Sequence, residues 1–285
     1  MKVGCQMAFN ERTSPAFIGE VGALVEGLGF DALWVPEHVL FFPEYASRYP
    51  YSQDGKIVGN PNSLLDPFSA LTFLAAHTSR IRLGTGICIV PQRNPVYTAR
   101  QVSDLDYLSG GRMDFGIGIG WLKEEFAALG VPWPDRAGRT RECIGVMKAL
   151  WCEELSTFEG RYYSVRRAYQ NPKPVQDPHP PLIFGGDSEG AFARVAELGQ
   201  GWFGFNITPQ SMERHMQTLR AALEAQGRDL SGLQISVAPA QGNLDAASIK
   251  TLCDLGADQI ILPLMASNIE KLKDRAQQAL ALAGR

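Results

Sequence analysis

Eight short apolar runs, each followed by a segment of helical character, predict a single (β/α)8 TIM barrel spanning residues 1–285. The runs are mostly unbroken rather than alternating, as parallel strands covered on both faces require. Capped, proline-led helix starts and glycine-closed helix ends punctuate the alternation. A chain of 285 residues is long for an average domain, but barrels reach this length as one unit.

The elements follow in order. Residues 3–9 read as the first strand and 15–28 as its helix. The second strand is 32–36 with its helix at 67–77, the third 82–90 with 95–108, and the fourth 113–119 with 138–151. Residues 182–185 and 189–198 make the fifth pair, 202–205 and 209–226 the sixth. The seventh is 234–239 with 246–255, and the eighth 259–264 with 268–282. Ser14-Pro15, Asp66-Pro67, Asn94-Pro95 and Thr208-Pro209 each place a capping side chain before a proline. The cap accepts from a free N–H, and proline is tolerated at the first helical position because it lacks a donor that would go unpaired anyway. Gly29, Gly199 and Gly256 stand at helix ends.

Two insertions interrupt this pattern, residues 41–65 after strand two and 152–181 after helix four. Both are too long for plain connections. The first lies on a βα loop, at the barrel face where active sites sit, and is expected to cover the site. Its Phe41, Phe42, Tyr45, Tyr49 and Tyr51 point to an apolar or aromatic ligand, to loop packing, or to a dimer contact. Residues 158–163 of the second read as a small hairpin.

Composition narrows the function. A net charge of −3 gives no strong pull toward nucleic acid or an anionic membrane. Five scattered cysteines without a C-x-x-C pair argue against disulfides or zinc and for a reducing cytoplasm. Residues 1–10 lack a signal-peptide pattern, and no apolar run reaches membrane-spanning length. Four histidines without H-x-H or H-E-x-x-H spacing disfavour a metallohydrolase, so no metal site is expected. There is no G-x-S-x-G elbow and no P-loop, and Lys173 lies in a proline-rich loop unsuited to Schiff-base chemistry.

Four segments carry candidate chemistry. Gly116, Gly118 and Gly120 recur at every second position and leave one face of strand four without Cβ atoms. That face either receives a flat ligand ring, with Trp121 beside it, or packs closely inside the barrel. Gly185-Gly186-Asp187-Ser188 opens a helix, whose free N–H groups and dipole suit phosphate. The charge of Asp187 opposes phosphate, unless it is a cap with its side chain turned away. The other reading is a glycine turn with an ordinary cap. Glu37 and His38 stand at the end of strand two, where barrel active-site residues project, and His38 can exchange a proton near neutral pH. Glycines at 84 and 86 predict a bulge late in strand three, and Cys88 reads as a small core residue rather than a nucleophile.

Together these segments resemble the luciferase-like flavin and deazaflavin oxidoreductases. The stretches that carry the likeness are residues 29–38 (Gly-Phe-Asp-Ala-Leu-Trp-Val-Pro-Glu-His), 82–87, 91–95, 108–112, 118–126 and 185–188. The likeness covers most of residues 1–205 and lies nearest a branch that uses coenzyme F420, while the last third matches only as barrel. The resemblance implies a homodimer with the cofactor ring over strands two to four. It implies a cis Gly86–Ile87 peptide forming a bulge behind the ring, His38 as the ring-contacting histidine, and the cofactor phosphate at Gly185, Gly186, Asp187 and Ser188. Gly118, Gly120 and Trp121 would shape the ring and substrate site. In a sugar-phosphate dehydrogenase branch a proton-donating glutamate falls near Trp121; here Glu124 and Glu125 come a turn later, so that branch's reaction is not implied. The expected activity is hydride transfer between F420 and a small organic substrate, with His38 donating or accepting the proton. The alternatives are an FMN-dependent monooxygenase on the same fold and a non-catalytic flavin-binding barrel.

Overall fold

The computed structural model describes residues 1–57 and 61–285, and eight parallel strand positions close there into a barrel. In chain order the first half holds β1 (Lys2–Gln6), α1 (Pro15–Leu28), β2 (Ala32–Val35), α2 (Pro67–Ala75), β3 (Arg82–Thr85), β4 (Cys88–Ile89), α3 (Pro95–Ser109) and β5 (Met113–Gly118). A short α4 (Lys123–Ala128) and a long α5 (Arg136–Cys152) lead to the antiparallel pair β6 (Ser156–Glu159) and β7 (Ser164–Ala168). The second half runs β8 (Leu182–Gly185), α6 (Glu189–Leu198), β9 (Gly201–Ile207), α7 (Pro209–Glu224), β10 (Gln234–Pro239), α8 (Ala246–Asp254), β11 (Gln259–Pro263) and α9 (Ile269–Leu282).

The sheet order is β3-β2-β1-β11-β10-β9-β8-β5-β4, and pairing of Leu83 with Met113 and Gly84 with Asp114 closes the ring from β3 to β5. β3 and β4 are one strand position broken in two. The break is the cis Gly86–Ile87 peptide, beyond which Cys88 and Ile89 pair with Ile117 and Gly118. The expected strand at 82–90 is therefore interrupted at the expected bulge.

All eight strand–helix pairs stand where the sequence put them, and all four expected caps form. Ser14, Asp66, Asn94 and Thr208 accept from the backbone N–H of Phe17, Ser69, Val96 and Ser211 respectively, each such cap contributing about 1 kcal/mol. Gly29 ends α1 at φ 92°, and Gly256 (φ 109°) follows α8. Gly199, by contrast, ends α6 with extended backbone, φ −89°, so its glycine character is not needed for a left-handed cap. α4 was not expected, and α5 begins two residues before the anticipated 138.

Two apolar layers hold the barrel. The larger lies between strands and helices, with Val3, Leu33, Leu83, Phe115 and Leu182 all fully buried. The smaller fills the interior with Ala32, Trp34, Ile183, Phe203, Ala238 and Ile261, topped by Ile87 and Phe205. A Cβ on Gly84 would come within 2.3 Å of the Trp34 ring, so this glycine makes room for the largest interior side chain. Trp34 Nε1 donates to Gln259 Oε1 at 3.2 Å, which satisfies its only polar atom. Cys5, Cys88 and Cys143 are buried, and burial pushes the Cys88 thiol well up, consistent with a packing role.

Candidate active site

Residues at or just beyond the C-terminal ends of β2, β3, β5, β8 and β9 form the mouth of the barrel. Ile87, at the strand break, is its apolar shelf. A Cβ on Gly118 would lie 2.2 Å from Ile87 Cδ1, and one on Gly185 would lie 2.7 Å from it. A Cβ on Gly116 would meet the Thr85 carbonyl oxygen at 1.9 Å. Of the two readings of the glycine face, close packing therefore accounts for Gly116 and Gly118, and it accounts as well for Gly185 on β8. Ile87 and the β3 backbone occupy the space that side chains would take, and Ile87 itself is half-buried against the interior cluster. Gly120 adopts φ 77°, and Phe126 and Ile89 crowd its Cβ position, so it serves the turn that delivers Trp121.

His38 follows β2, with its side chain 10% exposed. Its Nδ1 lies 3.0 Å from Oε2 of the fully buried Glu125, on α4. Its Nε2 accepts from Trp121 Nε1 at 3.2 Å. An indole N–H can only donate, so the neutral imidazole carries its proton on Nδ1 and directs a lone pair from Nε2. Glu125 also accepts from the backbone N–H of Val39 (2.6 Å) and Leu40 (3.1 Å) through Oε1. Glu124 grips the next part of the same loop, accepting from Ala46 N (2.6 Å), Ser47 N (3.2 Å) and Ser47 Oγ (2.6 Å). Two adjacent carboxylates thus clasp residues 38–47 over the mouth. The rest of that insertion is aromatic: Trp121 meets His38, Tyr45 and Tyr49 edge-on at 5.1–5.7 Å, and Tyr51 stands 5.1 Å from Phe205 of β9. Burial raises the Tyr49 phenol to about 12 and Tyr51 higher still, so both are neutral donors at ordinary pH. The insertion does cover the mouth as expected, although Val58, Gly59 and Asn60 lie outside the described residues.

Glu37 does not join this site. It is buried beneath it, accepting from Ile89 N and from the Arg93 guanidinium, which also binds Asp66 at 2.6 Å. It braces β4 against β2.

Ser188, not Asp187, is the cap of α6, accepting from Ala191 N. Asp187 is exposed and lines a cleft of about 330 Å³ with Tyr51, Ser52, Phe205, Arg214 and His215. Among the described residues no backbone N–H from Gly186 to Gly190 donates to a partner, whereas the next, Ala191, donates to Ser188.

The partners of Glu124 and Glu125 escaped sequence reading because their bonds span 77 to 87 residues, as did the pairing of Arg93 with Glu37 across 56. The one available signal was two adjacent acids directly after a glycine-rich strand.

The family model described as luciferase-like monooxygenase matches residues 3–241. The chain belongs to this family. Among relatives of this luciferase-like chain, an uncharacterised protein of Mycobacterium tuberculosis is 32% identical over 210 residues, covering 72% of this chain and 73% of that one. An F420-dependent glucose-6-phosphate dehydrogenase of Kineococcus radiotolerans is 31% identical over 237 residues, 80% of this chain and 64% of its own. An FMNH2-dependent dimethylsulfone monooxygenase of Pseudomonas putida is 29% identical over 157 residues, 54% of this chain and 43% of its own. A solved F420-dependent secondary alcohol dehydrogenase, bound to an F420–acetone adduct, superposes with a TM-score of 0.77 at 18% identity over 99% of this chain and 98% of that one, which establishes shared fold.

Proposed function

We propose that this luciferase-like chain is an F420-dependent oxidoreductase that exchanges a hydride with a small organic substrate at the barrel mouth. The observation that carries the reading is the pair of hydrogen bonds that His38 makes with Glu125 and Trp121. With Nδ1–H given to Glu125, Nε2 is a fixed proton acceptor among the aromatic rings of Phe41 and Trp121. A C–H carbon bearing a hydroxyl loses its proton and its hydride to two different acceptors, and His38 Nε2 takes the first. Trp121 Nε1 holds that lone pair until a substrate hydroxyl replaces it.

The residues suit a planar cofactor carrying a phosphate. Ile87 offers an apolar platform, set in place by Gly86, Gly118 and Gly185, with Gly120 and Trp121 at its side. Gly186, Asp187 and Ser188 offer N–H groups without a partner among the described residues, at the positive end of α6. A deazaflavin bound there supplies a two-electron hydride acceptor that reacts poorly with oxygen. The chain's part is to orient the substrate, hold its proton on His38 and keep water out with the aromatic insertion.

A second reading, an FMN-dependent monooxygenase, is favoured by the likeness to the dimethylsulfone enzyme and by the same aromatic cover, since an oxygenating flavin needs a dry site. Side-by-side fluorescence titrations of purified protein with F420 and FMN separate the two. Preferred F420 binding, with a His38→Ala variant that binds normally but loses turnover, is the expected result. Preferred FMN binding with substrate-dependent oxygen uptake gives the second reading the lead. A His38→Ala variant with full turnover removes His38 from either mechanism.

A further inference from the structure

The strands present their interior side chains in layers, and the layer nearest the mouth holds one polar side chain. Trp34, Ile183, Phe203, Ala238 and Ile261 lie in the barrel interior. Alternation along a strand brings the residue two places further on over the same face, one layer higher. Those residues are Pro36, Phe205, Ala240 and Pro263, and glycine on β8. Glycines also fill this level on β3 and β5. On β1 the interior residue is Gly4, whose Cβ position lies 3.3 Å from Trp34 Nε1, so the residue above it is Gln6. A carboxamide thus stands alone in an otherwise apolar ring of strand ends.

One bond fixes how that amide is turned. Gln6 Nε2 donates to the carbonyl oxygen of Gly86 at 3.1 Å. A carbonyl only accepts, so the NH2 group faces Gly86 and Oε1 faces away from it. Among the described residues nothing donates to Oε1, and the second Nε2 proton has no acceptor. Gln6 is half-buried rather than sealed in, so this donor and acceptor are open to a ligand. A Cβ on Gly86 would stand 3.7 Å from Nε2, which places the amide beside the residue that leads into the Ile87 shelf. Bracing the strand break needs only the Nε2 bond to Gly86. The unused half of the amide is what points to a ligand.

We infer that Gln6 binds the imide edge of the cofactor ring. In flavins and deazaflavins alike, the pyrimidinedione presents N3–H between two carbonyls. That edge is the complement of Oε1 beside an Nε2–H, one bond running each way. The inference rests on the proposed cofactor reading and adds to it the side chain that selects which edge of the ring enters the barrel.

The test is a fluorescence titration of the whole protein with FMN and 5-deaza-FMN, each against its N3-methyl derivative, which has lost the imide proton. The parent should bind the unmethylated ring roughly 5- to 30-fold more tightly, the scale of one or two neutral hydrogen bonds. Gln6→Met keeps the length of the side chain without the amide. It should lose that preference and bind both forms alike, at about the affinity of the parent for the methylated ring. Gln6→Asn, which withdraws the amide by one methylene, gives the same comparison if methionine disturbs folding. Equal affinities in the parent overturn the inference without any variant. A preference that survives in both variants also overturns it, because the methyl group is then rejected by shape alone. Equal losses for both forms reduce Gln6 to a brace for Gly86 and overturn it too. In each of those results a ring still binds and the cofactor reading stands. Binding of neither ring by the parent removes that reading and this inference with it.

Discussion

Replacing Glu125 by glutamine tests the clasp that orients His38. The carboxylate is fully buried and takes three hydrogen bonds, from His38 Nδ1 at 3.0 Å and from the backbone of Val39 and Leu40 at 2.6 and 3.1 Å. A glutamine oxygen can keep the two backbone bonds, but its NH2 group then faces the Nδ1 proton. Two donors meet, and one charge-assisted bond is lost. The loss amounts to about 2–3 kcal/mol, since a donor is also left unpaired in a buried setting. For a domain of this size that is a fall in melting temperature of roughly 5–10 °C. The ring can relieve the clash only by moving its proton to Nε2, where it confronts the Trp121 N–H instead. Urea unfolding measures the stability change, and nitrogen-15 NMR of the imidazole reports the tautomer. An unchanged midpoint together with a retained Nδ1–H in Glu125→Gln would refute the argument, because the carboxylate would then neither hold the loop nor set the proton.

Other consequences follow from the same geometry. Gly118→Ala should destabilise by about 1–3 kcal/mol through the 2.2 Å approach to Ile87 Cδ1, and adding Ile87→Val, which lacks that atom, should restore much of it. Gly116→Ala meets a backbone oxygen at 1.9 Å and should resist any such rescue; a calorimetric double-mutant cycle checks both. Arg93→Met strands the buried Glu37 carboxylate and should cost about 3–5 kcal/mol in denaturant unfolding, with Glu37→Gln in the same background recovering part. Burial raises the Glu26 carboxyl, but bonds from the backbone of Ile81, Arg80 and Ser79 and from the Ser79 hydroxyl outweigh it and hold the pKa at about 2. The stabilisation is therefore complete above its unfolded value near 4.5 and disappears as pH falls toward 2. Glu26→Gln should flatten the pH dependence of stability across that window, and parallel slopes would contradict it.

Short-range chemistry was legible from residue order. Apolar runs, the proline-led caps at Ser14, Asp66, Asn94 and Thr208, and the glycine ends of α1 and α8 each act within a few residues, so the sequence by itself determined the eight-fold alternation and hence the barrel. The likeness in residues 29–38 and 82–87 pointed to His38 and to the cis bond before Ile87. What a glycine makes room for is a different matter. Spacing alone left Gly118 divided between a ligand ring and close packing, and only the fold brought Ile87 of the neighbouring strand over it. Tertiary structure likewise decided that Glu37 braces while His38 faces the mouth, that Ser188 rather than Asp187 caps α6, and that Glu124 and Glu125 clasp a loop some 80 residues earlier. Helical and strand periods record which way a side chain faces its own element. They do not record which distant backbone N–H or guanidinium meets it, because that partner is chosen by how the barrel closes.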